Sequence, residues 1–111
     1  MSKYISLNRN KDFRRAYTIG KYAVSKYLVT YILKNRYKCI RVGMATGKKI
    51  GNAVKRNRAR RVLRAAFYEI REKLSNGFDI VFVARKDTPN LKSYDVLREM
   101  SYQLKKLGVL R

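Results

Sequence analysis

The segment Lys48-Lys49-Ile50-Gly51-Asn52-Ala53-Val54-Lys55-Arg56-Asn57-Arg58-Ala59-Arg60-Arg61 holds the side chains with the strongest chemical preference in this chain. Arginine dominates its second half, and a guanidinium grips phosphate through a planar fork of donors where an ammonium acts as a point charge. Asn52 is a helix-capping residue type, and neither proline nor glycine follows it in the run. A basic helix in a small protein points to a polyanion, RNA or DNA before any other.

A second group is aromatic. Phe13 and Tyr17 lie four apart and share one helical face, with Ala16 beside them. Together with Tyr31 they could stack on unpaired bases across a helix–sheet cleft. Such stacking tolerates any sequence and contributes roughly 1–3 kcal/mol per base. The alternative is that all three are core, although the tyrosine hydroxyls favour a wet edge.

Other chemistries lack their residues. The chain has no histidine, which excludes a His-based general base and a Ser-His-Asp triad. Cys39 is the sole cysteine. There is therefore no disulfide framework, and a Cys/His zinc site has too few ligands; no disulfide-linked partner is expected. Cys39 lies in an apolar run and reads as a small buried hydrophobe. The seven acids, Asp12, Glu69, Glu72, Asp79, Asp87, Asp95 and Glu99, show no paired spacing suited to two-metal nuclease chemistry. Gly43-Met44-Ala45-Thr46-Gly47-Lys48-Lys49 is one residue short of a phosphate-binding loop, and Lys49 stands where serine or threonine should be. The residues describe a binder without a catalytic or metal centre of its own.

Charge supports this. Twenty-eight Lys and Arg against seven acids give a net charge of +21 in 111 residues. Self-repulsion of that size is tolerable when the partner is anionic. No acid occurs from Phe13 through Tyr68, whereas the six from Glu69 onward sit among nine basic residues, so the binding surface is assigned to the first two thirds. Hydrophobic content of 46% suits one globular domain over residues 1–111. No apolar run approaches the roughly 20 residues that span a bilayer, and residues 1–9 lack the apolar core of a signal peptide, so a cytoplasmic protein without membrane contact is expected.

The elements that must position these residues are legible from periodicity. Asn10 reads as the N-cap of a helix over about 11–19, closed by Gly20. Residues 27–33 read as a strand with Tyr27, Val29, Tyr31 and Leu33 on one face. A second strand is expected over 39–46, where Gly43 marks a bulge or a close approach, and a short one over 22–24. Residues 52–74 form the main helix, with Ala59, Val62, Leu63, Ala66, Phe67, Ile70 and Leu74 as its apolar stripe and Asn57, Arg60, Arg61 and Arg64 opposite. Asn76-Gly77 ends it. Residues 79–84 are a continuous apolar run, which predicts a central strand buried on both faces. After a loop at 88–90, Ser93 caps a last helix to about Leu107, with Leu97, Met100, Leu104 and Leu107 as its stripe and Gly108 as its stop. The fold class is α/β, an α+β sandwich of order α-β-β-β-α-β-α.

These residues resemble the protein component of bacterial ribonuclease P over nearly the whole chain. The carrying element is Lys48-Lys49-Ile50-Gly51-Asn52-Ala53-Val54 running into Arg56-Asn57-Arg58, then Arg60-Arg61 and Arg64, which is similar to the family's "RNR" signature. Leu7 followed by Phe13, Tyr17 and Gly20 matches its N-terminal pattern, and Ala84-Arg85-Lys86 the end of its last strand. Tyr17 replaces the commoner phenylalanine, and Gly47 stands where serine is frequent. The resemblance implies a mixed sheet with a left-handed crossover through the basic helix, an arrangement shared with a ribosomal-protein domain. It implies a role in removing the 5′ leader of precursor tRNA, with an RNA subunit performing the hydrolysis by means of bound Mg²⁺. By matching position it implies that Lys48, Lys49, Asn52, Lys55, Arg56, Asn57, Arg58, Arg60, Arg61 and Arg64 serve the RNA subunit. Phe13, Tyr17, Val29 and Tyr31 would line a leader-binding cleft. The rival reading is a ribosomal or assembly RNA-binding protein without a part in catalysis, which composition and fold fit equally well.

Overall fold

In the computed structural model, residues 4–111 are described; the first three residues of the polar N-terminus lie outside them. The element order is β1 (Tyr4–Ser6), α1 (Asn10–Ile19), β2 (Lys21–Val24), β3 (Leu28–Lys34), β4 (Ile40–Ala45), α2 (Ala53–Ile70), β5 (Phe78–Ala84) and α3 (Ser93–Lys106). One mixed sheet runs in the order β1-β4-β5-β3-β2. Strand β4 is parallel to both β5 and β1, while β3 is antiparallel to β5 and β2. This is the expected α+β sandwich, with β5 at its centre, plus one strand that periodicity did not show. Strand β1 has three residues, too few for a period-2 pattern, and it exists through pairing with a partner 36 residues away.

Register separates the two faces of the sheet. Ile32, Ile80 and Val42 align on one face, against which α2 and α3 pack to form the main core with Leu63, Phe67, Ile70, Val96, Met100 and Leu104. Tyr31, Val81 and Gly43 align on the other, which α1 covers through Phe13 and Ala16. Gly43 provides the expected close approach. A Cβ there would lie 2.6 Å from Cζ of Phe13, so α1 reaches the sheet because β4 lacks a side chain at this point. Gly20 serves the same end where α1 turns into β2, since a Cβ would sit 2.4 Å from the Ala16 carbonyl oxygen.

Several element ends differ from the sequence reading. Asn10 is the first helical residue of α1; Arg9 occupies the cap position and makes no side-chain capping bond. Ser93 likewise lies inside α3, and the Asp95 carboxylate accepts from the Lys92 backbone N–H at 3.3 Å instead. Asn52 does cap α2, its side chain accepting from the Lys55 N–H at 3.0 Å. Helix α2 proper ends at Ile70 and continues as a tighter turn over Arg71–Lys73. Val62 is half-buried, as are Leu97 and Leu107, whereas Val96 and Gln103 of α3 are fully buried. Gln103 is tolerated there because its amide is satisfied: it accepts from Thr30 Oγ1 at 2.6 Å and donates to the Leu28 carbonyl at 2.8 Å. Tyr27 precedes β3, and its carbonyl accepts from Thr88 Oγ1 at 2.7 Å. Cys39 is half-buried beside β4, so burial is not complete as its apolar neighbours suggested.

Candidate nucleic-acid interface

Packing of the α2 stripe into the core leaves the opposite side of that helix to solvent. Lys55, Asn57, Arg58, Arg61 and Arg64 are exposed, and Arg56 and Arg60 are half-buried. Asn57, Arg61 and Arg64 follow one another at helical spacing and form a single column. Arg60 is held differently: its guanidinium donates to Thr46 Oγ1 at 2.7 Å and to Asn57 Oδ1 at 3.0 Å, so it ties the residue that follows β4 to the helix. Asn52 is exposed at the N-terminus of α2.

Lys48 and Lys49 precede α2 in a short helical turn, Lys48–Ile50, but they do not join the arginine column. They line a groove on the α1 side of the sheet together with Val29, Tyr31, Arg85 and Lys86. Its volume is about 1130 Å³.

Of the aromatic residues Tyr31 lines this groove, and the others extend from it as a row of ring contacts. Tyr17 contacts Tyr31 edge-on with ring centres 5.0 Å apart, and Phe13 lies 6.4 Å from Tyr17. Tyr22 adds a fourth ring, 5.7 Å from Tyr31, that the sequence reading missed. Strand register explains it: Tyr22 and Tyr31 are direct partners in the β2–β3 hairpin, which turns over 25–27, so counting back from the turn would have found the pair. The four rings are unequal. Phe13 is half-buried against Leu7, Val81 and Gly43 and belongs largely to the core, whereas Tyr17 and Tyr22 are 42% and 62% exposed. Burial, with a smaller contribution from Tyr31, pushes the Tyr17 hydroxyl above its ordinary pKa, so it remains a neutral hydrogen-bonding group at physiological pH.

A basic helix face and an aromatic groove edged with lysine and arginine thus lie on opposite sides of one sheet. A family model described as Ribonuclease P matches residues 1–108. The chain belongs to the ribonuclease P protein family. It is 39% identical over 104 residues to the ribonuclease P protein component of Clostridioides difficile, covering 93% of this chain and 91% of that protein. It is 40% identical over 105 residues to the counterpart from Pelotomaculum thermopropionicum, covering 95% and 94%. Among solved structures, the RNase P protein of Staphylococcus aureus superposes with a TM-score of 0.85 at 27% identity, covering 98% of this chain and 100% of that one. The RNase P protein of Thermotoga maritima gives 0.77 at 27% identity, covering 87% and 92%.

Within this ribonuclease P family protein, Asp79 and Asp12 serve structure. Asp79, 5% exposed at the start of β5, accepts from Arg41 Nε at 2.7 Å and from a terminal guanidinium nitrogen at 2.6 Å, and from the Asn35 amide at 2.9 Å. Arg41 also reaches Asp12 of α1 at 3.5 Å and lies over the Tyr37 ring at 4.6 Å. Burial pushes the Asp79 carboxyl up, but the hydrogen bonds from Arg41 and Asn35 and the charge of Arg41 outweigh it and hold the group below its usual range. The same partnership raises the Arg41 pKa further. Among the described residues no cluster of three His, Cys, Asp or Glu side chains could hold a metal ion, and no helix is long and apolar enough to cross a membrane.

Proposed function

We propose that this chain is the protein subunit of ribonuclease P. It binds the catalytic RNA subunit through the exposed face of α2, and the 5′ leader of precursor tRNA through the groove between α1 and the sheet. In doing so it assists Mg²⁺-dependent endonucleolytic removal of the leader in the cytoplasm. The observation that supports this reading is the separation of the two surfaces. The guanidinium column of α2 and the rings of Tyr17, Tyr22 and Tyr31 face away from each other across the sheet, so two RNAs can be held at once.

Each surface has its own physics. Arg58, Arg61 and Arg64, with Lys55 and Arg56 at their margin, neutralise phosphates and release counterions, which gives a salt-dependent attachment to folded RNA. Lys48 and Lys49 edge the groove and fix the leader's backbone, while the tyrosines stack on its bases irrespective of sequence. Leader contacts exist only in the precursor, so they favour substrate over mature product. The polypeptide supplies no nucleophile, general base or metal ligand in this scheme. Mg²⁺ belongs mainly to the RNA subunit, where it stabilises the charge that develops on the attacking and leaving oxygens.

The decisive experiment is cleavage of precursor tRNA by the cognate RNA subunit at low Mg²⁺, with and without this protein. Restored leader removal supports the proposal. No effect on the cognate RNA would refute it and favour a structured-RNA binder outside catalysis.

A further inference from the structure

At the far end of the α1 face, away from the aromatic groove, lies a polar pocket of about 800 Å³. It is bounded by the β1–α1 connection, the first half of α1, the end of β3 and the loop leading to β4. Its lining carries two carboxylates and six cations. Both carboxylates are engaged at its floor: Arg41 grips Asp79 through two nitrogens and reaches Asp12 at 3.5 Å, and Asn35 donates to Asp79 as well. That leaves Arg9, Lys11, Arg15, Lys34 and Arg36, of which Arg15 lies close enough to Asp79 to help lower its pKa. No ion pair to any of these five is found among the described residues. The N-terminus of α1 opens on the same pocket without a side-chain cap, adding its positive end to the field.

Five such cations around one concavity repel one another, and a bound anion offsets that cost. The aromatic groove takes Val29 and Tyr31 from one end of β3, and this pocket takes Leu33 and Lys34 from the other. The two therefore share one face of the sheet, opposite the face on which α2 packs.

We propose that this pocket binds backbone phosphates of the precursor leader upstream of the nucleotides stacked in the aromatic groove. The inference rests on the leader-binding reading above and extends it to a second, purely electrostatic subsite. It makes affinity depend on leader length beyond what the tyrosines reach.

The test uses the reconstituted holoenzyme carrying Arg9→Ala with Arg36→Ala, both exposed positions outside the groove and the α2 face. Binding is measured for precursor tRNA with a short leader that ends within the aromatic groove, for precursor with a long leader, and for mature tRNA. The expected result is a loss of roughly three- to tenfold on the long leader alone, with the salt slope falling by about 0.7 for each phosphate that is no longer neutralised. Affinity for the RNA subunit and the thermal midpoint stay at wild-type values. Equal loss on short and long leaders, or no loss on either, overturns the proposal. Loss of RNA-subunit affinity overturns it too and assigns the pocket to that RNA. Arg9→Lys with Arg36→Lys, which keeps the charge, is expected to restore most of the long-leader affinity. Wild-type protein that stimulates cleavage in the same preparation keeps the primary reading intact whatever the pocket variants show.

Discussion

Gly43→Ala tests whether the contact between α1 and the sheet has the tightness the geometry gives it. The new methyl carbon would stand 2.6 Å and 2.7 Å from two carbons of the Phe13 ring and 3.2 Å from Cβ of Leu7. Carbon atoms rest at about 3.5–4.0 Å, so the ring must retreat by about 1 Å. Val81 and Leu7 flank it in the same cluster, so it cannot move without lifting α1. Overpacking of this kind costs about 1–3 kcal/mol. For a domain of this size the thermal midpoint falls by roughly 4–8 °C per kcal/mol, so a drop of roughly 5–20 °C is expected by circular dichroism. Precursor affinity should fall with it, because Tyr17 rides on the same helix. Phe13→Leu in the Gly43→Ala background, which shortens the opposing side chain, should recover part of the loss, giving a coupling that a double-mutant cycle reads directly. A single variant that melts with the wild type, or a double variant whose losses simply add, refutes the argument.

Other consequences follow from the remaining interactions. Asp79→Asn leaves Arg41 without its main buried counter-charge and should destabilise the fold by about 3–5 kcal/mol, seen as a lower urea midpoint. Because the folded-state pKa of Asp79 is depressed, its stabilisation is present above the unfolded value of about 3.9 and is lost as pH falls through the folded value. The wild-type midpoint should therefore drop below about pH 4 more steeply than that of the variant, and parallel curves would argue against this role. Arg58→Ala with Arg61→Ala should weaken RNA-subunit binding and reduce its salt slope by about 0.9 for each phosphate left without its arginine, with unchanged stability; an unchanged slope would dismiss the α2 assignment. Tyr17→Ala should cost about 1–3 kcal/mol in precursor affinity while sparing mature tRNA, and equal losses on both would remove it from the leader groove. Asn52→Ala should lower stability by about 0.5–2 kcal/mol through loss of the α2 cap, measurable by denaturant titration.

The features readable in the sequence were those whose signal is local and repeated. The α2 stripe from Ala59 to Ile70 recurs often enough to define a face, and the run from Ile80 to Val83 is apolar on both parities because β5 is central. What escaped depends on partners distant in the chain. Tyr4 pairs with Ile40. Tyr22 differs, since its partner Tyr31 is local and joins it once the hairpin register is counted from the turn. Lys48 and Lys49 sit next to the arginines in sequence yet face the groove, since the turn Lys48–Ile50 redirects the chain before α2 starts. The burial of Gln103 carries no local signal, because its partners, Thr30 and Leu28, lie more than 70 positions away. The caps at Arg9 and Lys92 lie one residue before Asn10 and Ser93, the scale on which side-chain type alone does not fix where a helix begins.

The strand order carries a consequence for synthesis. Strands β3 and β4 are consecutive in the chain but never touch as neighbours; each is joined to the sheet through β5, which is made after α2. A ribosome that has released residues up to Ile70 has therefore produced the β2–β3 hairpin, the β1–β4 pair and the arginine helix without the strand that pairs with both β3 and β4, leaving α1 as the element that touches each. Non-local pairing of this kind is slow because chain closure precedes the contacts that reward it. The emergence of Phe78–Ala84 is thus the step that sets β3 and β4 in one sheet and orients the basic surface built on it.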